Sequence, residues 1–262
     1  MSWLERLAGP KRSSVLPRLE SWLLVKRLTR KHGAVRAMEL AVGGNDAIGD
    51  SEFAVLDHFG FRDGGYLIDV GCGSGRLTRR VAKLPACRYL GTDINQTLLD
   101  HARSTCGRKD FRFARIDGLK IPEADGVADM VTFFSVGTHL LNEEFVVYLE
   151  EAHRVLKPGG RIVFSFLDFK QTSTRSTFAS MVAAARVGRR VKPLNVFFGA
   201  DAIGVWTEMV GMTLVDIVDG TDPRIVPSDR IKAVLARQVA PIKFGQSIAV
   251  LEKRPSASRP TP

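Results

Sequence analysis

Residues 66–84 read YLIDVGCGSGRLTRRVAKL, and this stretch decides the fold. Tyr66 to Val70 is an apolar run with one acid, short enough for a buried strand. Gly71 to Gly75 is a turn with glycine at alternate positions, and a helical pattern opens near Arg76. Glycine lets the backbone turn sharply and approach a ligand with no Cβ in the way. The first turn of a helix leaves backbone N–H groups free for an electronegative partner. Asp69, at the carboxyl end of the strand, is placed to accept hydrogen bonds from the turn or from a ligand amine. Cys72 sits inside the turn, where a small apolar residue suffices. The stretch is a cofactor cradle with Asp69, Gly71, Cys72, Gly73 and Gly75 as its candidate residues.

The spacing discriminates between cofactors. A nicotinamide site needs G-x-G-x-x-G/A, the third small residue allowing close packing of helix on strand. Gly71 and Gly73 fit that register, but the next position is Arg76. The motif is G-x-G-x-G instead, closed by Gly75. A second apolar run, RYLGTD (88–93), delivers Asp93 at its end, where a carboxylate can take both hydroxyls of a ribose.

Outward from the cradle, strand and helix patterns alternate, which predicts a parallel sheet wrapped on both faces. Strands are expected at 66–70, 88–92, 111–116, 128–134, 160–166, 213–218 and 246–253. Helices are expected at 76–83, 96–105, 143–156 and 199–212, the third closed by a KPGG turn. Upstream, Asp50 or Ser51 is expected to cap a helix ending at Gly60. The domain is drawn over 50–253, with an insertion at 167–198 carrying the basic residues Arg186, Arg189, Arg190 and Lys192. Residues 1–49 are expected to form a helical cover rich in Lys and Arg, and 254–262 (RPSASRPTP) a disordered tail. The basic N-terminal helices fit either peripheral contact with an anionic membrane or a lid over the sheet; the breadth of their apolar side favours the lid.

Five segments, LIDVGCGSG (67–75), GTDIN (91–95), ARIDGLKIP (114–122), ADMVTFFSVGTHL (128–140) and RVLKPGGRIVFSF (154–166), occur in an order and spacing that resemble the class I S-adenosylmethionine-dependent methyltransferases, in particular the small-molecule "type 11" group. The resemblance implies an α/β, doubly wound, Rossmann-like seven-stranded sheet of order 3-2-1-4-5-7-6, with S-adenosyl-L-methionine as cofactor. It further implies that Asp93 holds the ribose, that Ile94 packs on the adenine, and that Asp117 and the Gly118 N–H read the adenine edge. Asp117 before Gly118 is also what an ordinary turn requires. Ser135 ends the fourth strand beside the same crevice, where ligands of open parallel sheets bind.

His139 follows, and its imidazole titrates where a general base is useful. It is the candidate catalytic residue; capping a helix or bonding a backbone carbonyl is the alternative role. Asp168 is a second candidate base, and His153, beside Arg154 within a helix, reads as surface.

Composition narrows the partners. The formal charge of +10 fits a nucleic acid, an anionic membrane surface, an acidic substrate or a solvated basic surface. Three cysteines without a C-x-x-C pair or a His cluster argue against a disulfide framework and a metal site. No apolar run is long enough for a signal peptide or a membrane span, so a cytoplasmic protein is expected. The fourth strand runs into FFSV (133–136) rather than an Asn/Asp-Pro-Pro-Tyr motif, which argues against methylation of exocyclic base nitrogens. The expectation is a methyltransferase acting on the oxygen of a small-molecule, saccharide or lipid-linked acceptor. An RNA methyltransferase and a cofactor-binding interaction protein without turnover are the rivals.

Overall fold

The computed structural model describes residues 26–31, 33, 46–189, 194–220, 225, 227–236 and 244–255. Most of the expected N-terminal cover, Arg190, Lys192 and most of the tail lie outside these residues; 26–31 are helical. The chain then runs α1 (Asp46–His58), β1 (Tyr66–Val70), α2 (Thr78–Val81), β2 (Arg88–Asp93), α3 (Gln96–Thr105), β3 (Arg112–Arg115), β4 (Ala128–Phe133), a 3₁₀ turn (Gly137–His139), α4 (Asn142–Val155), β5 (Leu156–Phe166), α5 (Thr172–Arg186), α6 (Ala200–Met209), β6 (Met212–Val218), α7 (Asp229–Leu235) and β7 (Ser247–Lys253).

The seven strands lie in the order β3-β2-β1-β4-β5-β7-β6. The first five strands pair in parallel, and β7 runs antiparallel to both β5 and β6. All five residues of β1 are buried, as required of a central strand covered on both faces. Its side chains alternate between two cores. Tyr66, Ile68 and Val70 join the α4 and α6 face with Phe145, Leu149 and Trp206; Leu67 joins the α1 and α7 face with Phe53, Leu56 and Ile231. At the centre of the first core Phe145 is ringed by Phe133, Phe164, Phe198 and Trp206, with centroids 5.1–6.2 Å away.

Two expectations need correction. The first helix begins at Asp46, so Asp50 and Ser51 lie inside it and cap nothing; the Ser51 hydroxyl donates to the Ala47 carbonyl. KPGG is not a turn before β5 but a bulge within it. The β4–β5 register steps from Ala128↔Leu156 to Met130↔Arg161, and Gly159 takes φ +77° to accommodate the extra residues. Of the 167–198 insertion, for which no element was expected, Thr172–Arg186 form a helix, α5, which buries only Thr174 and so shows little apolar periodicity. Among the described residues no helix is long and apolar enough to cross a membrane.

Candidate functional site

The glycine turn is tied to β2 rather than to its own strand. Gly71 and Cys72 N–H both donate to the Thr92 carbonyl (2.8 and 2.9 Å), and Gly73 N–H donates to Asp93 Oδ2 (3.0 Å). The other Asp93 oxygen accepts from Asn95 N–H (2.8 Å), and Asn95 Oδ1 caps α3 by accepting from Thr97 and Leu98. Asp93 thus stitches the cradle to the start of the next helix. Gly71 has φ +73°, and a Cβ there would stand 2.4 Å from Val136 Cγ2, so only glycine fits. That contact also packs the cradle against the turn after β4.

Beneath the turn, Asp69 spends its oxygens on protein hydroxyls rather than on the turn. Tyr89 donates to Oδ2 (2.8 Å) and Thr132 to Oδ1 (2.9 Å); Thr78 Oγ1 lies 2.7 Å from the Tyr89 oxygen. Parallel pairing explains the cluster. Asp69 faces Thr132 directly across β1–β4, and across β1–β2 it faces Gly91, which has no side chain, so Tyr89 fills the space from two residues back. Cys72 is buried with its sulfur turned toward Gly91, in keeping with a packing role. The first residue after the turn, Arg76, pairs with Glu52 of α1 at 2.6 Å, both buried or nearly so.

The remaining expected residues gather at the same edge of the sheet. Ile116 N–H donates to the Asp93 carbonyl (3.1 Å), which brings the exposed Asp117–Gly118 turn beside the end of β2. Gly118 is anchored through its carbonyl to the Tyr148 hydroxyl (2.9 Å), and Ile94 is half-buried against the α4-side core. Ser135 adopts φ +60°, and its N–H donates to Ser165 Oγ (2.8 Å), which in turn donates to Gln246 Oε1 (2.7 Å).

His139 is exposed, with Nδ1 2.6 Å from the Leu194 carbonyl. A carbonyl can only accept, so Nδ1 carries the hydrogen and Nε2 of the neutral ring is left as the acceptor. Asp168 is buried and occupied. Its Oδ1 accepts from Lys170 N–H, and its backbone carbonyl accepts from Gln171 N–H, which makes it a turn-former leading into α5. His153 is half-buried, its carbonyl holding Lys253 Nζ (2.7 Å). Among the described residues no group of His, Cys, Asp or Glu has the arrangement to hold a metal ion.

Sequence reasoning missed Glu52, Tyr89, Thr132, Ser165 and Gln246. The strand pairing alone could have pointed to Thr132; nothing in the linear pattern marks Glu52 or Gln246.

Burial raises the Asp69 carboxyl to about 7, with Glu52 as a nearby like charge, and raises Asp93 to about 6 against the pull of its backbone donors. A raised acid holds its proton longer in the folded than in the unfolded state. Its contribution to stability is therefore present below about pH 4 and is lost as pH rises through about 6 for Asp93 and about 7 for Asp69. We expect the stability of Asp93→Asn relative to the native chain to grow between pH 4 and 6 and then level off, as read from denaturant melts across that range. A gap independent of pH would refute the ionisation of Asp93 in this window.

Residues 67–160 match the family model described as "Methyltransferase domain". The chain is 32% identical over 113 residues to a demethylmenaquinone methyltransferase of Staphylococcus aureus, a match spanning 42% of this chain and 46% of that one. It thus covers less than half the length of this curated relative. Magnesium protoporphyrin IX methyltransferase from Synechocystis, solved with S-adenosylhomocysteine bound, superposes with a TM-score of 0.58 at 16% identity over 91% of this chain and 95% of that one. Geranyl diphosphate C-methyltransferase from Streptomyces coelicolor superposes at 0.53 with 16% identity, over 78% and 74%. Residues 67–160 are thus similar in sequence to methyltransferase domains, and the described fold is shared with both solved enzymes. The strand order and the G-x-G-x-G turn are those expected from the resemblance to that family. The glycine turn and Asp93 at the end of β2 are residues that would suit S-adenosylmethionine.

Proposed function

We propose that this chain transfers the methyl group of S-adenosylmethionine to the oxygen of a small acceptor carrying an apolar moiety, with His139 as general base. The observation that carries the reading is the placement of His139. The turn holding it begins at Val136, whose side chain closes on Gly71, so base and cradle share one wall. Bound cofactor supplies an electrophilic methyl carbon, and the hard chemistry is its own. Asp93, the Gly118 N–H and Ile94 are assigned to the ribose and adenine, and Ser135 to the wall facing the sulfur. The Leu194 carbonyl fixes the His139 ring so that Nε2 would take the acceptor's hydroxyl proton as the O–C bond forms and the bond between methyl carbon and sulfur breaks, the sulfonium leaving as a neutral thioether.

The acceptor class follows from what flanks His139. Phe169, Phe178 and Phe197 pack together with centroids 4.8–5.5 Å apart, yet Phe169 and Phe178 remain 45% and 40% exposed, and Leu194 46%. The segment 194–198 that carries part of this shelf is bonded to the His139 turn through Val196 N–H and the Thr138 carbonyl (2.8 Å). An exposed apolar shelf at the mouth of a site is suited to an apolar ring or chain. The curated relative and both solved neighbours are named for small-molecule acceptors, which supports the same class.

The test is methyl-labelled cofactor with purified protein and a fractionated extract of the source cell. Label in the lipid or small-molecule fraction is the expected result. Label in RNA, or none from a preparation that binds cofactor, would overturn the reading. A separate expectation concerns Asp93→Ala. Loss of a charge-assisted bond to ribose should cost about 1.5–3 kcal/mol of cofactor affinity by calorimetry. Unchanged affinity would sink the ribose assignment.

A further inference from the structure

From Phe169 to Ala200 the sequence carries six Lys or Arg residues and no acid, so this one stretch holds more than half of the net charge of +10. α5 lies at its centre and meets the domain along one side, through buried Thr174 with Thr177, Met181 and Ala184 half-buried in line with it. Three- and four-residue spacing turns Arg175, Phe178, Ala179, Val182 and Arg186 to another, outer side. All of these but Val182 are exposed. Past the helix, Val187 is 69% exposed and Arg189 is exposed as well. Arg175 donates to the backbone carbonyls of Phe169 and Lys170 (2.8 and 3.4 Å), contacts that hold the side chain without neutralising it.

The same surface is apolar. Phe169, Phe178, Val187 and Leu194 are all large apolar side chains left exposed. Cations alone would fit any polyanion. Cations interleaved with apolar side chains fit a boundary with phosphates outside and hydrocarbon within, where guanidinium groups stay at the phosphates and Phe and Val enter the acyl layer. A single strand of nucleic acid can stack on phenylalanine, but it gives Val187 and Leu194 no hydrocarbon to bury against.

We propose that the outer side of α5, together with Phe169, Val187 and Leu194, seats on an anionic lipid bilayer. The Phe169–Phe178–Phe197 cluster joins this face to the segment bonded to the His139 turn, so seating would turn the apolar shelf toward the bilayer. Docking requires neither cofactor nor acceptor; it goes beyond the reaction proposed above and is tested apart from it.

The test sediments the full-length chain with two kinds of vesicle, phosphatidylcholine alone and an equal mixture of phosphatidylcholine and phosphatidylglycerol. Binding to the mixed vesicles and not to the neutral ones is expected. Combining Arg175→Gln, Arg186→Gln and Arg189→Gln should weaken it roughly 100-fold, about fivefold for each cation near an anionic surface. A control combining Lys83→Gln, Arg103→Gln and Lys109→Gln removes the same charge from exposed positions flanking β2 and β3. It should stay within about threefold of the native chain, since charges away from the contact are screened. Val187→Ser, which keeps the charge, should weaken binding several-fold. Equal binding to both vesicles, binding to neither, or an equal loss in the control and α5 variants would overturn the proposal. Unchanged affinity in Val187→Ser would overturn the seating of the apolar residues, and thermal melts identify any variant that misfolds. An α5 variant that loses binding to a homopolymeric RNA while keeping its vesicle binding would also overturn the proposal, assigning these cations to RNA.

Discussion

His139→Asn is expected to lower kcat by about 10²- to 10⁴-fold, the usual contribution of a general base, while cofactor affinity stays within about twofold. Asparagine is chosen because its amide N–H₂ can stand in for Nδ1 and keep the bond to the Leu194 carbonyl. It has nothing in place of Nε2. If the ring only pins the 194–198 segment to the turn after β4, the asparagine variant retains its turnover and the base assignment fails. Steady-state rates with the acceptor identified by labelling would decide, and an alanine variant would separate the two contributions by adding the loss of the anchor.

Phe145→Ala should destabilise the fold by about 3–5 kcal/mol. The ring is fully buried and touches four aromatic neighbours drawn from β4, β5, the segment before α6, and α6 itself. Deleting it leaves a cavity whose walls belong to different elements and cannot all move inward together. Urea melts would measure the loss. A cost near 1 kcal/mol would mean that the cluster repacks, and would remove the argument that α4 and α6 are locked to the sheet through this residue. The consequence for the site is indirect but real, because Phe145 also lies 3.1 Å from where a Cβ on Gly137 would sit, in the turn that presents His139.

The parts of the molecule that were legible in the sequence share a property: they depend on neighbours a few residues away. The strand 66–70 and the helix 96–105 stand where the pattern puts them, since apolar runs and the Asn95 cap are local signals. The sheet order follows the family resemblance carried by five short motifs. Bounds drawn from composition fared less well. Asp50 looked like a cap because an acid precedes an apolar run, but the helix starts four residues earlier and Asp50 pairs with Arg80 (2.9 Å) instead. The α5 helix was not anticipated because it lies on the surface, where no buried stripe imposes a period.

The sequence by itself determined the class of fold, the glycine turn after the first strand and the acid at the end of the second, because glycine geometry and strand-end chemistry are properties of adjacent residues. Only the tertiary structure decided what each of those groups is free to do. Asp69 is consumed by hydroxyls from two flanking strands, and His139 has its tautomer set by a carbonyl 55 residues downstream. Those outcomes depend on distances between segments far apart in the chain, which packing sets and local pattern does not.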